Sequence, residues 1–142
     1  MQTETRQYLD TCQKMRQYLR PEGCYLIVED DTDTAYFLQH LISLYKYKAV
    51  IVRTVKEALL FISKHAHEIR CAVVDLHLKN EEGTDILRYI ENEHRQVPYF
   101  VYTAEVDADK GVEEEFPRAR VVQKNESVDR LLNYLGLEKH AS

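Results

Sequence analysis

Five short apolar segments, rich in β-branched and aromatic residues, recur along the chain at intervals that are too long for hairpins. They cover residues 25–29, 50–53, 71–75, 99–102 and 120–123, and their starts lie 25, 21, 28 and 21 residues apart. Each interval has room for a crossover helix, and the central segments are apolar on consecutive residues, as parallel strands covered on both faces should be. The pattern predicts an α/β fold with a five-stranded parallel sheet.

The segments between these strands carry helix start signals followed by apolar residues at helical spacing. The last helix is expected to turn Val128 toward the core and to stop at Gly136. Residues 107–116 have few apolar side chains and contain Gly111, so they predict a short, exposed or mobile helix. The expected openings of the other helices are Asp33 or Thr34, Thr54 in a capping box with Glu57, Thr84 and Ser127.

Composition sets limits on the class of protein. The chain has 142 residues, 44% of them hydrophobic, and a net charge of −5, which suits one ordered domain. Its cations form no dense run, so a direct nucleic-acid partner is not expected. No apolar run approaches the ~20 residues of a membrane span, and the N-terminus is too polar for the pattern expected of a signal peptide. Three scattered cysteines indicate a cytoplasmic protein, in a reducing compartment, without a disulfide framework.

Residues 3–19 form a helical pattern of their own ahead of the first strand. Tyr8, Cys12, Met15 and Leu19 are spaced 4, 3 and 4 residues apart, which is the spacing of a coiled-coil seam. The pattern ends before Pro21, as helices usually do. We therefore expect an N-terminal helical extension over 1–21 and the main domain over 22–142. The seam is compatible both with packing on its own domain and with a homodimer.

Charged and hydroxyl residues stand at the carboxyl ends of the predicted strands, where open parallel sheets bind ligands. Glu29 and Asp30 end the first strand, Asp75 the third, Thr103 the fourth and Lys124 the fifth. Carboxylates held this close repel one another, and a hard cation such as Mg²⁺ relieves that repulsion. A carboxylate beside the metal can accept a phosphoryl group, while the hydroxyl and the ammonium contact the transferred oxygens.

Four motifs in this order resemble those of the receiver domains of two-component response regulators. They read LIVEDD, VVDLHLKNEEG, VYTA and VVQK, and the resemblance spans residues 22–136. It implies a flavodoxin-like, doubly wound five-stranded sheet with strand order 2-1-3-4-5 and flanking helices, to which the N-terminal helix is added. It also implies a switch that catalyses only its own phosphorylation and dephosphorylation.

The same resemblance implies a role for each site residue. Asp75 would accept the phosphoryl group from a histidine kinase or a phosphotransfer protein, and the signal would pass to a downstream protein target. Thr103 would reorient toward the new phosphate, and Lys124 would pair with it. The implied ligands of Mg²⁺ are Asp75, Asp30, Glu29 through water, and the backbone carbonyl of His77.

The chain departs from the family pattern at several positions. Val121 stands where an aromatic residue usually reads out the switch, and Asn125 follows the lysine in place of a cis proline. A cis bond before a residue other than proline costs ~3 kcal/mol, so a trans bond is predicted there. The positions that tune phosphoryl lifetime in the family are His77 and Glu105, which could position or exclude the hydrolytic water.

Two other functions fit parts of the sequence. A receiver-like adaptor whose binding is independent of phosphorylation would account for Val121, Asn125 and the N-terminal extension. An Mg²⁺-dependent phosphatase with an aspartyl nucleophile is disfavoured, because Leu76 and His77 follow Asp75 and the D-x-D-x-T order is absent.

Overall fold

Parallel strands form the central sheet, and helices pack on both of its faces. The computed structural model describes residues 23–137, so the predicted extension over 1–21 lies outside the described residues. The elements, in chain order, are β1 (Cys24–Val28), α1 (Thr32–Leu44), β2 (Lys48–Val52), α2 (Val55–His65), a 3-10 turn (Ala66–Glu68), β3 (Ile69–Val74), β4 (His77–Leu78), β5 (Glu81–Glu82), α3 (Thr84–Glu93), β6 (Tyr99–Thr103), α4 (Ala108–Glu115), β7 (Val121–Gln123) and α5 (Val128–Leu135).

The order of the strands confirms the predicted topology. The sheet runs β2-β1-β3-β6-β7, which is 2-1-3-4-5 when only the five parallel strands are counted. The last residues of the central strands are in register, since Val28 pairs with Val52 on one side and with Val74 on the other. The carboxyl ends therefore meet at one edge of the sheet, which we call the carboxyl edge.

Alternate residues of the strands face two separate hydrophobic layers. Leu26 and Val28 pack in the layer that includes α2, α3 and α4, whereas Tyr25 and Ile27 pack in the layer that includes α1 and α5. All five residues of β1 are buried, as a central strand covered on both faces requires. Burial of a large apolar side chain contributes about 1.5–3 kcal/mol, so these layers fix the sheet that carries the strand ends.

The helix boundaries follow the predicted start signals, with one correction. Asp31 caps α1 in place of Asp33 or Thr34, and its carboxylate accepts the Thr34 amide at 3.0 Å. The reason is that the helix already begins at Thr32, ahead of both predicted caps. Thr84 is the first residue of α3, after Gly83 at the cap position. Thr54, as predicted, caps α2 by accepting the Glu57 amide at 3.1 Å.

The last two helices lie where they were predicted, but one side chain points the other way. Helix α4 is short, as expected, and α5 begins after Ser127 and ends at Gly136. Val128 was predicted to face the core and is instead exposed. It lies in the first turn of α5, at the carboxyl edge, where β7 has already ended; Leu131 and Leu135 take the buried positions. Within residues 23–137, no helix is long and apolar enough to cross a membrane.

Candidate functional site

Three carboxylates and one ammonium group meet at the carboxyl edge of the sheet. Glu29, Asp30 and Asp75 each place a carboxylate oxygen within 4.8 Å of those of the other two. The Lys124 Nζ lies 2.8 Å from Glu29 Oε1 and 3.2 Å from Asp75 Oδ2. The structure thus brings together the acidic residues and the lysine that the sequence placed at separate strand ends.

Backbone hydrogen bonds extend the sheet one residue beyond the strands and hold these side chains in place. The amides of Glu29 and Asp75 donate to the carbonyls of Val52 and Val28, both at 3.0 Å. The amide of Lys124 donates to the carbonyl of the last residue of β6 at 2.7 Å. The positions of the charged groups are therefore set by the sheet, not by mobile loops.

Burial makes the electrostatics of this cluster unusual. Glu29 is only 1% exposed. Burial, together with its hydrogen bond to Asp75, raises the pKa of Glu29 to about 7, although Lys124 acts in the opposite direction. Burial by itself would lower the pKa of Lys124, but hydrogen bonds and charges from Glu29 and Asp75 outweigh it and raise that pKa. Negative charge is thus in excess around one cation.

This donor set fits a magnesium ion. Carboxylate oxygens are the ligands that a hard divalent cation prefers, and the three at this site are close enough to share one ion. The amide of His77 donates to Asp75 Oδ1 at 3.3 Å, so the backbone of that residue lies beside the acidic group. Asp30 is only half-buried, which leaves the cluster open to solvent and to ligands.

The high pKa of Glu29 predicts a pH dependence of stability in magnesium-free buffer. The folded protein holds the Glu29 proton up to about pH 7, whereas a glutamate in the unfolded chain loses it near 4.5. The folded state binds more protons in that window, so the free energy of unfolding falls as pH rises from 4.5 to 7. The loss is about 3 kcal/mol, since each tenfold change in the acid constant corresponds to about 1.4 kcal/mol.

Urea unfolding of the wild type and of Glu29→Gln, measured with EDTA at pH 5 and at pH 8, checks this expectation. The variant carries no proton to lose at this position, so its stability relative to the wild type is expected to rise between the two pH values. A constant difference between the two proteins would contradict the assignment.

Thr103 lies at the end of β6 and is fully buried. Its hydroxyl oxygen accepts a hydrogen bond from the amide of Glu105 at 3.1 Å. The side chain of Glu105 lies 2.8 Å from His77 Nε2, while Nδ1 of the same ring is 3.9 Å from Glu82. The two positions noted for phosphoryl lifetime therefore contact each other. They are 28 residues apart, and the sequence alone did not predict this contact.

A small hairpin follows Asp75 and was not predicted. Strands β4 and β5 pair antiparallel, with Asn80 in the left-handed conformation at the turn. The carboxylate of Glu81 accepts the amide of Val55 at 3.1 Å and so ties the hairpin to the start of α2. Strands of two residues are too short to show a hydrophobic periodicity, so they could not be predicted from it.

Two further residues support the site: Gly83, the glycine that ends the VVDLHLKNEEG motif, and Arg53, which was not singled out from the sequence. Gly83 donates its amide to the Leu76 carbonyl at 2.7 Å, and a Cβ atom on it would lie 2.0 Å from the Asp75 carbonyl oxygen. Arg53, the polar residue after β2, donates from its guanidinium to the Asp30 carbonyl at 3.2 Å. The available signals for these two residues were a glycine eight residues after the aspartate and an arginine at the end of an apolar strand.

Two of the departures from the family pattern, Val121 and Asn125, lie among the described residues. Val121 is buried in β7, and the aromatic residue beside Thr103 is Tyr102, which is also buried. None of the peptide bonds among residues 23–137 is cis, so the bond between Lys124 and Asn125 is trans, as predicted.

Comparison of the chain with known protein families identifies the class of protein to which it belongs. Residues 25–135 match the response regulator receiver domain, so the chain belongs to that family. Receiver domains are signalling domains of two-component systems; they bind Mg²⁺ at an acidic pocket and interact with histidine kinases or phosphotransfer proteins and with effectors. A comparison with curated proteins found no significant match.

Solved structures share the fold over most of the chain. SdrG from Sphingomonas melonis Fr1 is 25% identical with a TM-score of 0.65, and the alignment covers 84% of this chain and 98% of SdrG. A sensor protein from Polaromonas sp. JS666 is 24% identical, with a TM-score of 0.69 and coverage of 82% and 94%. The chemotaxis protein CheY4 of Vibrio cholerae is 18% identical, with a TM-score of 0.67 and coverage of 80% and 96%.

Proposed function

We propose that Asp75 accepts a phosphoryl group from a phosphohistidine of a histidine kinase or a phosphotransfer protein, with Mg²⁺, and that the protein then signals by changing its contacts with a downstream protein target. The observation that carries this proposal is the cluster at the carboxyl edge, in which a nearly buried Asp75 is close to Glu29, Asp30 and Lys124. A solvated group of surface carboxylates would have neither that burial nor a shared lysine.

The residues that would hold Mg²⁺ are Glu29 through water, Asp30, Asp75 and the backbone carbonyl of His77. When bound, the ion supplies positive charge that offsets both the carboxylates and the incoming phosphoryl oxygens. The protein supplies the remaining positive charge through Lys124, whose ammonium group already contacts Glu29 and Asp75.

The proposed step is a substitution at phosphorus. An oxygen of the Asp75 carboxylate forms a bond to phosphorus as the phosphorus–nitrogen bond of the donor breaks, and the electron pair of that bond returns to the histidine ring. The product is an acyl phosphate on Asp75. Lys124 holds the carboxylate in position before the step and pairs with the added phosphate after it.

Thr103 links this chemistry to the rest of the fold. Its hydroxyl oxygen is engaged by the amide of Glu105 in the unphosphorylated protein. We propose that the hydroxyl turns to donate to the new phosphate, which breaks that hydrogen bond and moves the segment after β6. Such a movement would change the surface formed by α4, β7 and α5, where the downstream target would bind.

Phosphoryl transfer from a small donor tests the proposal. Incubation with acetyl phosphate and Mg²⁺ is expected to add the mass of one phosphoryl group to the wild type and none to Asp75→Asn, because the amide is not a nucleophile. EDTA should abolish the addition. Asp85→Asn is the matched control, because the Asp85 carboxylate is exposed on α3 and does not belong to the cluster. A wild type that stays unmodified would overturn the proposal.

The contact between His77 and Glu105 is expected to lengthen the lifetime of the acyl phosphate. The 2.8 Å bridge links the two positions that follow Asp75 and Thr103, and we expect it to restrict the approach of water to the acyl phosphate. Glu105→Ala is expected to speed dephosphorylation severalfold, followed by intact mass over time. Glu82→Ala removes only the longer 3.9 Å contact and serves as the control. Slower loss in Glu105→Ala would mean that the carboxylate activates the water instead.

A further inference from the structure

The guanidinium of Arg53 bridges the loop that joins β1 to α1. Its Nη1 donates to the carbonyl of Asp30 and to the hydroxyl of Thr32, both at 3.2 Å. These two acceptors stand on either side of Asp31, so one amino group spans the turn between the end of the strand and the start of the helix. Arg53 directly follows β2, the neighbour of β1 in the sheet, and the contact therefore joins the carboxyl ends of two adjacent strands.

The backbone of Arg53 is held in turn by the start of α2. Its amide donates to Glu57 Oε1 at 3.0 Å, and Glu57 is fixed by the capping box that it forms with Thr54. The amide of Val55 donates to the carboxylate of Glu81 on the β4–β5 hairpin at 3.1 Å. The half-buried side chain of Arg53 therefore extends from a segment that hydrogen bonds fix on two sides.

Asp30 depends on this loop more than the other two carboxylates of the cluster do. Glu29 and Asp75 are 1% and 6% exposed, and their amides continue the hydrogen bonding of the sheet. Asp30 is half-buried and lies one residue further along the chain than Glu29, where the strand has given way to the loop. The amide of Asp31 anchors the loop to Glu29 Oε2 at 3.2 Å, and Arg53 anchors it to the end of β2. These two anchors fix the backbone from which the Asp30 carboxylate extends.

We propose that Arg53 is a positioning residue for Asp30, and that its hydrogen bonds raise the affinity of the carboxyl edge for Mg²⁺. The inference rests on the proposed function, in which Asp30 is a ligand of the ion. Arg53 acts through the backbone of the ligand and not on the ion itself. Removal of a partner that orients a metal ligand typically weakens metal binding about 10- to 100-fold. One arginine on a neighbouring strand end would thus set how much Mg²⁺ the site needs.

The charge of Arg53 acts in the opposite direction to its hydrogen bonds. A positive charge near a metal site repels a second cation, so by charge alone Arg53 would weaken the binding of Mg²⁺. The sign of the change when the guanidinium is removed therefore separates the two roles. Weaker binding shows that the hydrogen bonds to the loop dominate, and tighter binding shows that the charge does.

Urea unfolding of the full chain at a series of Mg²⁺ concentrations tests the proposal. An ion that binds only the folded state raises the free energy of unfolding, and the dependence on concentration yields the dissociation constant. Unfolding in EDTA gives the metal-free stability of each variant, which separates a loss of folding from a loss of affinity. Arg53→Met is expected to bind Mg²⁺ about tenfold more weakly than the wild type. Arg53→Lys keeps the charge but not the planar guanidinium, so its affinity should lie between the two.

Lys56→Met is the matched control, because Lys56 carries the same charge in the first turn of α2 and is exposed. This variant should bind Mg²⁺ at least as tightly as the wild type. Equal affinities of Arg53→Met and Lys56→Met, or tighter binding by Arg53→Met, would overturn the proposal. If Arg53→Met does not fold, Arg53→Lys decides the matter, and wild-type affinity in that variant would overturn the proposal.

Phosphorylation gives a second readout, which a general loss of structure would not reproduce. With acetyl phosphate as the donor, Arg53→Met should be modified about tenfold more slowly than the wild type at low Mg²⁺, and at nearly the wild-type rate when Mg²⁺ is saturating. A rate that stays low at saturating Mg²⁺ would exclude a role in metal affinity. A wild type that gains no stability from Mg²⁺ would refute metal binding altogether, whereas equal affinities would refute only the role of Arg53.

Discussion

Replacing Gly83 by alanine is expected to lower the free energy of unfolding by roughly 3 kcal/mol and to disturb the geometry at Asp75. A Cβ atom at this position would lie 2.0 Å from the Asp75 carbonyl oxygen and 3.0 Å from Leu76 Cα, both of them backbone atoms that cannot rotate away. Relief of this clash requires the loop after β3 to move, and with it the proposed phosphoacceptor. Urea unfolding measures the loss.

Gly111→Ala is the matched control for this substitution. Gly111 lies within α4, and a Cβ atom there would meet nothing within 4 Å. Alanine in a helix interior is favoured over glycine by about 1 kcal/mol, so this variant is expected to be slightly more stable than the wild type. Equal effects of the two substitutions would show that Gly83 is not required for close packing.

Replacing Lys124 by methionine is expected to have the second large effect. The variant keeps most of the side-chain volume but removes the ammonium group within 3.2 Å of both Glu29 and Asp75. Removal of one partner from a buried ionic cluster leaves uncompensated charge, so we expect a loss of about 3 kcal/mol at pH 8 without magnesium. Phosphoryl incorporation should fall at least about tenfold, because the proposed partner of the new phosphate is gone.

Two comparisons separate this effect from a general loss of a surface charge. Lys110→Met removes an exposed lysine from α4 and should change neither stability nor phosphorylation appreciably. At pH 5, where Glu29 is protonated, the cost of Lys124→Met should shrink. A Lys124→Met protein as stable and as readily phosphorylated as Lys110→Met would show that the lysine contributes nothing to the site.

The topology of the sheet could be predicted because it follows from spacing. Apolar segments that recur after helix-length intervals have few arrangements other than parallel strands with crossovers, and the observed strands start within two residues of those predicted. Boundaries were harder to predict. Asp31, Asp33 and Thr34 can all cap a helix, and only the three-dimensional structure decides that Asp31 accepts the Thr34 amide.

The site could be predicted in outline for a related reason. Parallel strands bring their carboxyl ends together, so Glu29, Asp75 and Lys124 were expected at one edge although nearly a hundred residues separate the first from the last. The contacts between loops were not predictable. The bridge from His77 to Glu105 and the hydrogen bond from Arg53 to the Asp30 carbonyl depend on side-chain conformations that no spacing rule specifies.

Under the proposed function Asp75 itself becomes an acyl phosphate, and chemical reduction of that group reveals which residue carries it. After incubation with acetyl phosphate and Mg²⁺, borohydride reduction converts a phosphorylated aspartate to homoserine, and peptide mass spectrometry locates the converted residue. We expect homoserine at position 75 only, and its disappearance when Mg²⁺ is withheld. Conversion at Asp30 or another carboxylate, or no conversion under conditions that leave the protein folded, would contradict the claim.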